Sequence, residues 1–332
     1  MIRRISPLAA TVAAVALSAC GGGDDADLTV YSGRNEELVG ELIARFERES
    51  DLQVDVRYGD SAELAATIAE EGENSPADVF FSQDAGALGA VEDTLSPAPR
   101  PVLDAVPDRF RDPRGRWAGV SGRARVIAYN TDEFEESEVP DSVFDLTDER
   151  WRGRVGIPPP NASFQAFVSA IRLDVGDERT REWLEGMRDN DAQLYDNNIQ
   201  TLEAVGSGEI DVGLVNHYYL AELKREDPDL PVANHFPRRG DPGSLVNAAG
   251  VGILESTDRQ ENAERFARFL VAEEAQTYFA EETSEYPLIE GVQRPEGLPP
   301  LGELIGPQVE LGRLGNQLRS TLKLLDEVGF TT

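Results

Sequence analysis

Two consecutive tyrosines are the residues whose types and spacing first point to chemistry. Tyr218 and Tyr219 follow Asn216 and His217, where the apolar run 210–215 passes into a helical pattern. A phenol with a pKa near 10 costs about 4 kcal/mol to ionise at pH 7, so neither hydroxyl becomes an anion unless a cation compensates. Adjacent side chains on a strand face opposite sides. The structural interpretation is therefore a core aromatic at Tyr218 and a helix-surface residue at Tyr219.

The start of a helix in the middle of the chain is a second candidate for chemistry. A strand-like run at 154–158 leads into 159–167, where Asn161 or Ser163 can cap the helix. The free N–H groups at a helix start favour anions. This segment is predicted to bind an anion.

The elements that must position these residues alternate between strand and helix. Strand patterns at 28–32, 52–58 and 78–82 are separated by helical patterns at 36–48 and 62–71. This order predicts an α/β fold with a doubly wound sheet that binds its ligand at the carboxyl ends of the strands. Three loops lie at such ends: 32–36, 82–86 and 216–219.

The second half of the chain predicts another lobe and two crossings between lobes. The extended run 119–130 is suited to cross from one lobe to the other, and 246–254 is suited to return. We expect the helices that follow to pack back on the first lobe; they lie near 260–270, 274–283 and 307–327.

Composition limits the possible partners. The 332 residues include 62 acidic and 31 basic side chains, a net charge of −31, and 40% are hydrophobic. That apolar content is enough for two modest cores. So acidic a surface repels phosphate backbones and anionic lipids, which excludes nucleic acid binding and attachment through a polybasic patch.

The first twenty residues predict export. Arginines at 3 and 4 precede an apolar stretch that is too short to span a bilayer, and the stretch ends in 17-LSAC-20. This ending resembles the bacterial lipobox, which implies a signal peptide at 1–19 and lipidation of Cys20, the only cysteine. The acidic, glycine-rich segment 20–27 is then a flexible tether.

An enzyme is the alternative of a different class. The sequence has neither a G-x-S-x-G nor an H-E-x-x-H motif. Its two histidines cannot build a multi-histidine zinc site. A secreted hydrolase is therefore the weaker hypothesis.

Five blocks in order resemble bacterial ferric-iron-binding proteins of ABC importers. The likeness extends from about Leu28 to Val292. It implies the type II periplasmic-binding-protein fold, in which two α/β lobes with mixed sheets are joined by two crossing strands. The blocks are 30-VYSGRNEELVGELIARFE-47, 76-PADVFFSQDAG-86, 119-GVSGRARVIAYN-130, 208-GEIDVGLVNHYYLAEL-223 and 241-DPGSLVNAAGVGIL-254.

The resemblance also implies the site. Tyr218 and Tyr219 match a pair that supplies two phenolates to Fe(III), and carbonate or phosphate completes the coordination. Arg123 matches the anion clamp, whereas for Arg125 we expect a surface ion pair. The other residues that the resemblance places at the cleft are Asn161, Ala162, Ser163, Asn197, Asn216, Arg34, Asn35 and Gln83.

Three positions depart from the pattern of the relatives. Asn35 and Gln83 stand where some relatives have histidine and glutamate ligands, and Phe164 stands where others have a third tyrosine. These changes leave two alternatives open, an iron chelate or an anionic solute such as a phosphonate.

The domain organisation follows from the same resemblance. We expect lobe 1 to comprise 28–122 plus about 254–332, and lobe 2 to comprise 123–253, with crossings near 120–130 and 246–254. The resemblance implies a receptor outside the cytoplasmic membrane that works with an ABC permease and its ATPase. The lipobox-like ending implies its lipid anchor, and we expect a monomer.

Overall fold

The computed structural model describes residues 26–304, 306 and 309–330 of the chain. The predicted signal peptide at 1–19 and the lipidation site Cys20 lie outside the described residues, as does the predicted tether apart from Ala26 and Asp27.

Helices and strands alternate through most of this part of the chain. The strands are β1 (Leu28–Ser32), β2 (Val54–Tyr58), β3 (Val79–Ser82), β4 (Trp117–Asn130), β5 (Val155–Ile157), β6 (Gln193–Leu194), β7 (Val212–Asn216), β8 (Val232–His235), β9 (Val246–Ile253) and β10 (Tyr286–Pro287). The helices are α1 (Glu36–Ser50), α2 (Ser61–Glu71), α3 (Ala85–Ala90), α4 (Arg100–Ala105), α5 (Ala162–Val175), α6 (Asp177–Asp189), α7 (Asn198–Gly206), α8 (Tyr218–Glu226), α9 (Gln260–Leu270), α10 (Glu273–Glu281) and α11 (Arg313–Val328).

The strands form a mixed sheet in the order β2, β1, β3, β9, β4, β7, β5, β6. The pairs β2–β1 and β1–β3 are parallel, and so are β7–β5 and β5–β6. The central strands β9 and β4 are antiparallel to their neighbours in this path. The predicted mixed α/β class is confirmed.

Strand β4 belongs to both halves of the sheet. Its residues 117–124 pair with β9, whereas residues 125–129 pair with β7 and residues 127–130 with β8. Successive side chains of a strand alternate between its faces, so Arg123 and Arg125 leave the strand on the same side.

Apolar side chains form two core clusters. The larger cluster packs β1, β3 and β9 against α1, α2 and α9, and it continues beneath α5 and α6. The smaller cluster lies between β4, β7, β8 and α7, with Val126, Leu202, Val205 and Val215 at its centre.

Short polar side chains begin the helices whose starts carry the predicted site. The Asn161 side chain accepts a hydrogen bond from the Ser163 N–H at the start of α5, and Asn197 does the same for Gln200 at the start of α7. These caps satisfy N–H groups that a helix leaves unpaired. Of the two predicted caps for α5, Asn161 is therefore the one used.

The last helix, α11, contacts helices from both predicted lobes. It packs on α3 as well as on α5 and α6. On the α5 side, Arg172 donates to the carbonyl of Gln317 and to the Ser320 and Thr321 hydroxyls. On the α3 side, Gly86 and Gly89 meet Gly315 and Gly312 so closely that a Cβ on Gly89 would collide with the Gly312 carbonyl.

In the described part of the chain, no helix is both long and apolar enough to cross a bilayer.

The glycine contact between α3 and α11 predicts the effect of a single methyl group. We expect Gly89→Ala to lower the free energy of unfolding by about 2 kcal/mol, because the added Cβ would push α11 away from α3. Gly40→Ala in α1 is the matched control, since its Cβ would meet the Glu36 side chain at an ordinary 3.4 Å. That change should stabilise the protein by up to about 1 kcal/mol. Urea unfolding of both variants checks this, and equal effects would contradict it.

Candidate functional site

The tyrosine pair lies at the turn between β7 and α8. Because β7 ends at Asn216 and α8 begins at Tyr218, the alternation of a strand does not apply to the pair. The two rings stack instead, with centroids 4.2 Å apart and an interplanar angle of 31°. Both line one cavity of about 100 Å³. The prediction that they face opposite sides is therefore wrong.

Most of the predicted site residues meet at this cavity. Asn197 and Asn35 line only the wider cleft of about 1220 Å³ that adjoins it. Arg34 lines neither space. The predicted residues that line the cavity are Gln83, Arg123, Asn161, Ala162, Ser163, Asn216, Tyr218 and Tyr219, and the residues that the sequence interpretation did not assign there are Asp84, Arg125, Leu245 and Asn247.

Arg123 is 3% exposed and lies between the cavity and a buried carboxylate. It donates from Nη2 to the carbonyl oxygen of Gln83. Its Nε lies 3.8 Å from Oε1 of Glu285. The register between β4 and β9 fixes the position of Arg123, because it places Arg123 opposite Asn247.

Arg125 is 2% exposed, so the predicted surface ion pair is wrong. Its Nη1 donates to Asn198 Oδ1 and to the Leu214 carbonyl, both at 3.2 Å, and its Nη2 donates to Ser163 Oγ at 3.1 Å. No carboxylate among the described residues forms an ion pair with it. Burial lowers the pKa of Arg125 to about 9, and the nearby Tyr219 and Tyr218 oppose this change.

Neutral groups therefore hold Arg125 at the cavity. Asn198 Nδ2 also donates to Asn161 Oδ1 at 3.0 Å, which ties the guanidinium to the start of α5. Sequence reasoning missed Asn198 and Arg125. The signal available was the spacing of Arg123 and Arg125, which put both on one face of a predicted strand.

The first loops supply oxygen atoms. Gln83 is half-buried, and its Oε1 has no hydrogen-bond partner among the described residues. Asp84 caps α3 by accepting from the Ala87 N–H, and burial raises the pKa of its carboxyl group while Arg123 opposes the rise. Phe164 is fully buried against Phe167, with ring centroids 6.0 Å apart, and does not line the cavity.

Burial favours the neutral form of Tyr218. Burial raises the pKa of Tyr218 well above its ordinary value, Tyr219 adds to the rise, and Arg123 opposes it. Within the described part of the chain, no group of three or more His, Cys, Asp or Glu side chains is arranged to hold a metal ion.

His217 packs beside the tyrosines as a neutral ring. Its Nδ1 accepts from the Ala124 N–H at 3.1 Å, and its Nε2 donates to the Ser284 carbonyl at 3.0 Å. Burial lowers the pKa of His217 to about 4. Its role is thus to link the tyrosine turn to β4 and to the segment before β10.

Comparison with known proteins assigns the chain to a protein family. The profile of the bacterial extracellular solute-binding protein family matches residues 74–303. The chain belongs to this family. Iron uptake protein A1 from Synechocystis sp. is 33% identical, with 95% of this chain and 93% of that relative covered.

Two solved structures share the fold closely. Iron-bound HitA from Pseudomonas aeruginosa superposes with a TM-score of 0.84 at 33% identity, covering 91% of this chain and 99% of that one. The Trichodesmium protein IdiA (FutA) in complex with iron and citrate gives 0.82 at 32% identity, covering 92% and 99%. The resemblance to ferric-iron-binding proteins and the two-lobed fold are confirmed. The prediction of a binding protein rather than an enzyme is confirmed as well, since these relatives are binding proteins.

The buried histidine predicts how acid affects stability. The unfolded chain protonates this ring below its ordinary pKa of 6.5, whereas the folded protein does so only near 4. The free energy of unfolding should therefore fall by about 3 kcal/mol as the pH drops from 6.5 to 4. His217→Gln, which retains a donor and an acceptor, should lose this part of the decline. Chemical unfolding across this range, with His235→Gln for comparison, checks the expectation; parallel curves for wild type and His217→Gln would refute it.

Proposed function

We propose that this protein captures Fe(III) together with an anion in the cleft and delivers it to the permease of an ABC importer. The observation that carries the proposal is the stacked pair Tyr218 and Tyr219, which shares one cavity with two buried arginines. Relatives with iron in their names, including the iron-bound HitA structure, support it.

A trivalent cation fits the tyrosine pair for an electrostatic reason. Neutral phenols are weak ligands, and burial further disfavours the ionisation of Tyr218. A hard cation of high charge reverses this balance, since it dominates the local field and drives its ligands to deprotonate. The two tyrosines then carry two negative charges only while the metal is bound.

An anion completes the site in this proposal. Two phenolates leave most of the usual six positions around Fe(III) open, and the oxygen of Gln83 is a neutral candidate for one of them. Arg125 and Arg123 offer N–H donors to carbonate or phosphate, as the α5 start does. Arg125 joins Arg123 as an anion clamp because its charge is not matched by a carboxylate.

An iron chelate is the alternative that a specific observation favours. The adjoining cleft of about 1220 Å³ has room for a polycarboxylate, and the Trichodesmium structure holds iron and citrate. A phosphonate-like anion without metal would also match the two arginines, but it would leave the tyrosine pair unused.

The remaining parts of the proposal concern motion and location. We propose that lobe 1 (28–122 with about 254–332) and lobe 2 (123–253) close on the ligand by bending at 120–130 and 246–254. Lipidated Cys20 would anchor the monomer outside the cytoplasmic membrane, and the permease with its ATPase would receive the iron.

A visible absorption titration tests direct coordination. Metal-stripped protein with bicarbonate is titrated with ferric citrate, and wild type is compared with Tyr218→Phe and Tyr219→Phe. We expect a tyrosinate-to-iron charge-transfer band that saturates at one equivalent in wild type. Either substitution should abolish the band or weaken binding at least about a hundredfold, because a charged ligand is lost.

Tyr195→Phe is the matched control, since its hydroxyl binds Glu209 and its ring lies outside the cavity. That variant should retain the wild-type band. Absence of the band in wild type, with bicarbonate or phosphate present, would reject coordination by the pair and favour the anionic solute.

The proposed chemistry also predicts a pH dependence. Iron bound by both phenolates must displace the protons of Tyr218 and Tyr219. We therefore expect apparent iron affinity to fall by up to about a hundredfold for each unit the pH drops between 8 and 6. Competition against a chelator of known pH dependence measures this, and a flat profile would contradict phenolate ligation.

A further inference from the structure

Glu285 is a buried carboxylate that none of the roles above uses. It is 1% exposed and accepts two hydrogen bonds from Arg34, Nη1 to Oε1 and Nη2 to Oε2, both at 2.9 Å. Ser121 Oγ donates to its Oε2 at 2.8 Å and Thr283 Oγ1 at 3.2 Å. Burial raises the pKa of Glu285, but Arg34 above all, with Arg123 and Ser121, holds it below its ordinary value. The side chain is an anion.

The backbone fixes where this anion lies. Strand β10 pairs with β4 so that Tyr286 stands opposite Gly122 and Pro287 opposite Ser121. Glu285, the residue before Tyr286, thereby lies beside Arg123. His217, which precedes the tyrosine pair, donates from Nε2 to the carbonyl of Ser284, the residue before Glu285, at 3.0 Å.

Glu285 is outnumbered by cations. Arg34, Arg123 and Arg125 are each at most 3% exposed, and Glu285 contacts the first two. Among the residues that line the cavity, Asp84 has a carboxyl group, and burial raises its pKa and so biases it toward the neutral form. Arg34, Arg123, Arg125 and Glu285 together therefore carry a net charge of +2, or +1 when an ionised Asp84 is counted with them. Without Glu285, each total would rise by one.

We infer that Glu285 sets the selectivity of the cleft for a metal–anion pair over a free anion. This inference rests on the proposed function, because it takes the tyrosine pair as the iron site. Without Glu285, the guanidinium groups of Arg123 and Arg125 at the cavity and of Arg34 behind it would be uncompensated, which would favour a free oxyanion and repel a trivalent cation. With Glu285 ionised, the remaining positive charge is enough to attract an anion but leaves the cation less strongly opposed.

This role separates Glu285 from a purely structural residue. If it only supported the fold, its loss would weaken every ligand together. If it sets the charge, its loss must move anion affinity and iron affinity in opposite directions. Most substitutions at a buried position reduce anion affinity and iron affinity together, so opposite changes would identify an effect of charge.

Glu285→Gln is the test variant, since it removes the charge and keeps the shape. Inorganic phosphate is titrated calorimetrically into metal-free protein, and Fe(III) supplied as its nitrilotriacetate complex is titrated at fixed phosphate with the charge-transfer band as readout. We expect phosphate to bind about tenfold or more tightly and iron to half-saturate at about tenfold or more higher concentration. One unit charge acting across a buried site accounts for changes of this size.

Two further variants serve as controls. Asp78→Asn makes the same acid-to-amide change at a carboxylate that is 1% exposed and close to Arg259, away from the cavity, and it should change neither affinity. Arg34→Gln combined with Glu285→Gln removes the whole pair and restores the wild-type charge. This double variant should return both affinities to within about threefold of wild type. It also keeps the test open if Glu285→Gln alone fails to fold, because it leaves no unpaired buried cation at Arg34.

If Glu285→Gln alone fails to fold, Arg34→Gln provides the opposite charge change. Phosphate should bind about tenfold more weakly to Arg34→Gln than to the double variant. Parallel loss of phosphate and iron binding in Glu285→Gln, or unchanged phosphate affinity, would overturn the inference.

The outcome is separable from that of the proposed function. If wild type shows no iron band, direct ferric coordination fails, and the phosphate titrations still decide whether Glu285 sets the charge of the cleft. If wild type shows the band and both affinities fall together in Glu285→Gln, the proposed function stands and Glu285 is structural.

Discussion

Every charged part of the site depends on the pairing of one long strand. Strand β4 lies against β9 along its first half and against β7 and β8 along its second. It presents Arg123 and Arg125 on one face, at the point where its partners change. The same pairing brings Asn216, just before the tyrosines, opposite Arg125, and β10 brings Glu285 beside Arg123. A slip of one residue would turn both arginines to the other face.

The arginines at this crossing are held in different ways. Arg34 has an ionic partner in Glu285, whereas Arg125 is surrounded by neutral oxygens of Asn198, Ser163 and Leu214. Hydrogen bonds engage Nη1 and Nη2 of Arg125, but they leave its Nε without a partner among the described residues and do not cancel its charge. Burial without a counter-ion disfavours a cation, which is why the pKa of Arg125 falls to about 9. In the proposed function, an anion in the cavity would relieve this penalty by supplying the counter-ion that Arg125 lacks.

Local patterns in the sequence were sufficient for the elements and for much of the site. The βα alternation predicted β1, α1, β2, α2 and β3, and the tyrosine pair and the Asn161 cap could be predicted from short runs. Arg125 could not be placed from the sequence, because an arginine in a strongly acidic chain has many possible partners on the surface. Only strand register shows that it points inward. Glu285 was out of reach for a similar reason: its partner Arg34 lies 251 residues away, and no local pattern links them.

The arrangement of donors also explains how motion can be coupled to chemistry. The partners of Arg125 come from the starts of α5 and α7 and from β7, all within predicted lobe 2. Arg34 and Glu285 belong to predicted lobe 1, and β4 carries Arg123 between the two groups. In the proposed function an anion is held by Arg123 and Arg125 of predicted lobe 2, and Arg123 in turn reaches Gln83 and Glu285 of predicted lobe 1. In the proposed function the tyrosines of predicted lobe 2 bind the metal in a cavity that Gln83 and Asp84 of predicted lobe 1 also line. Loss of the metal or of its anion would then weaken the attraction that favours a closed cleft. Protonation of the phenolates would release the metal, because neutral tyrosines bind Fe(III) weakly and the anion would lose its partner.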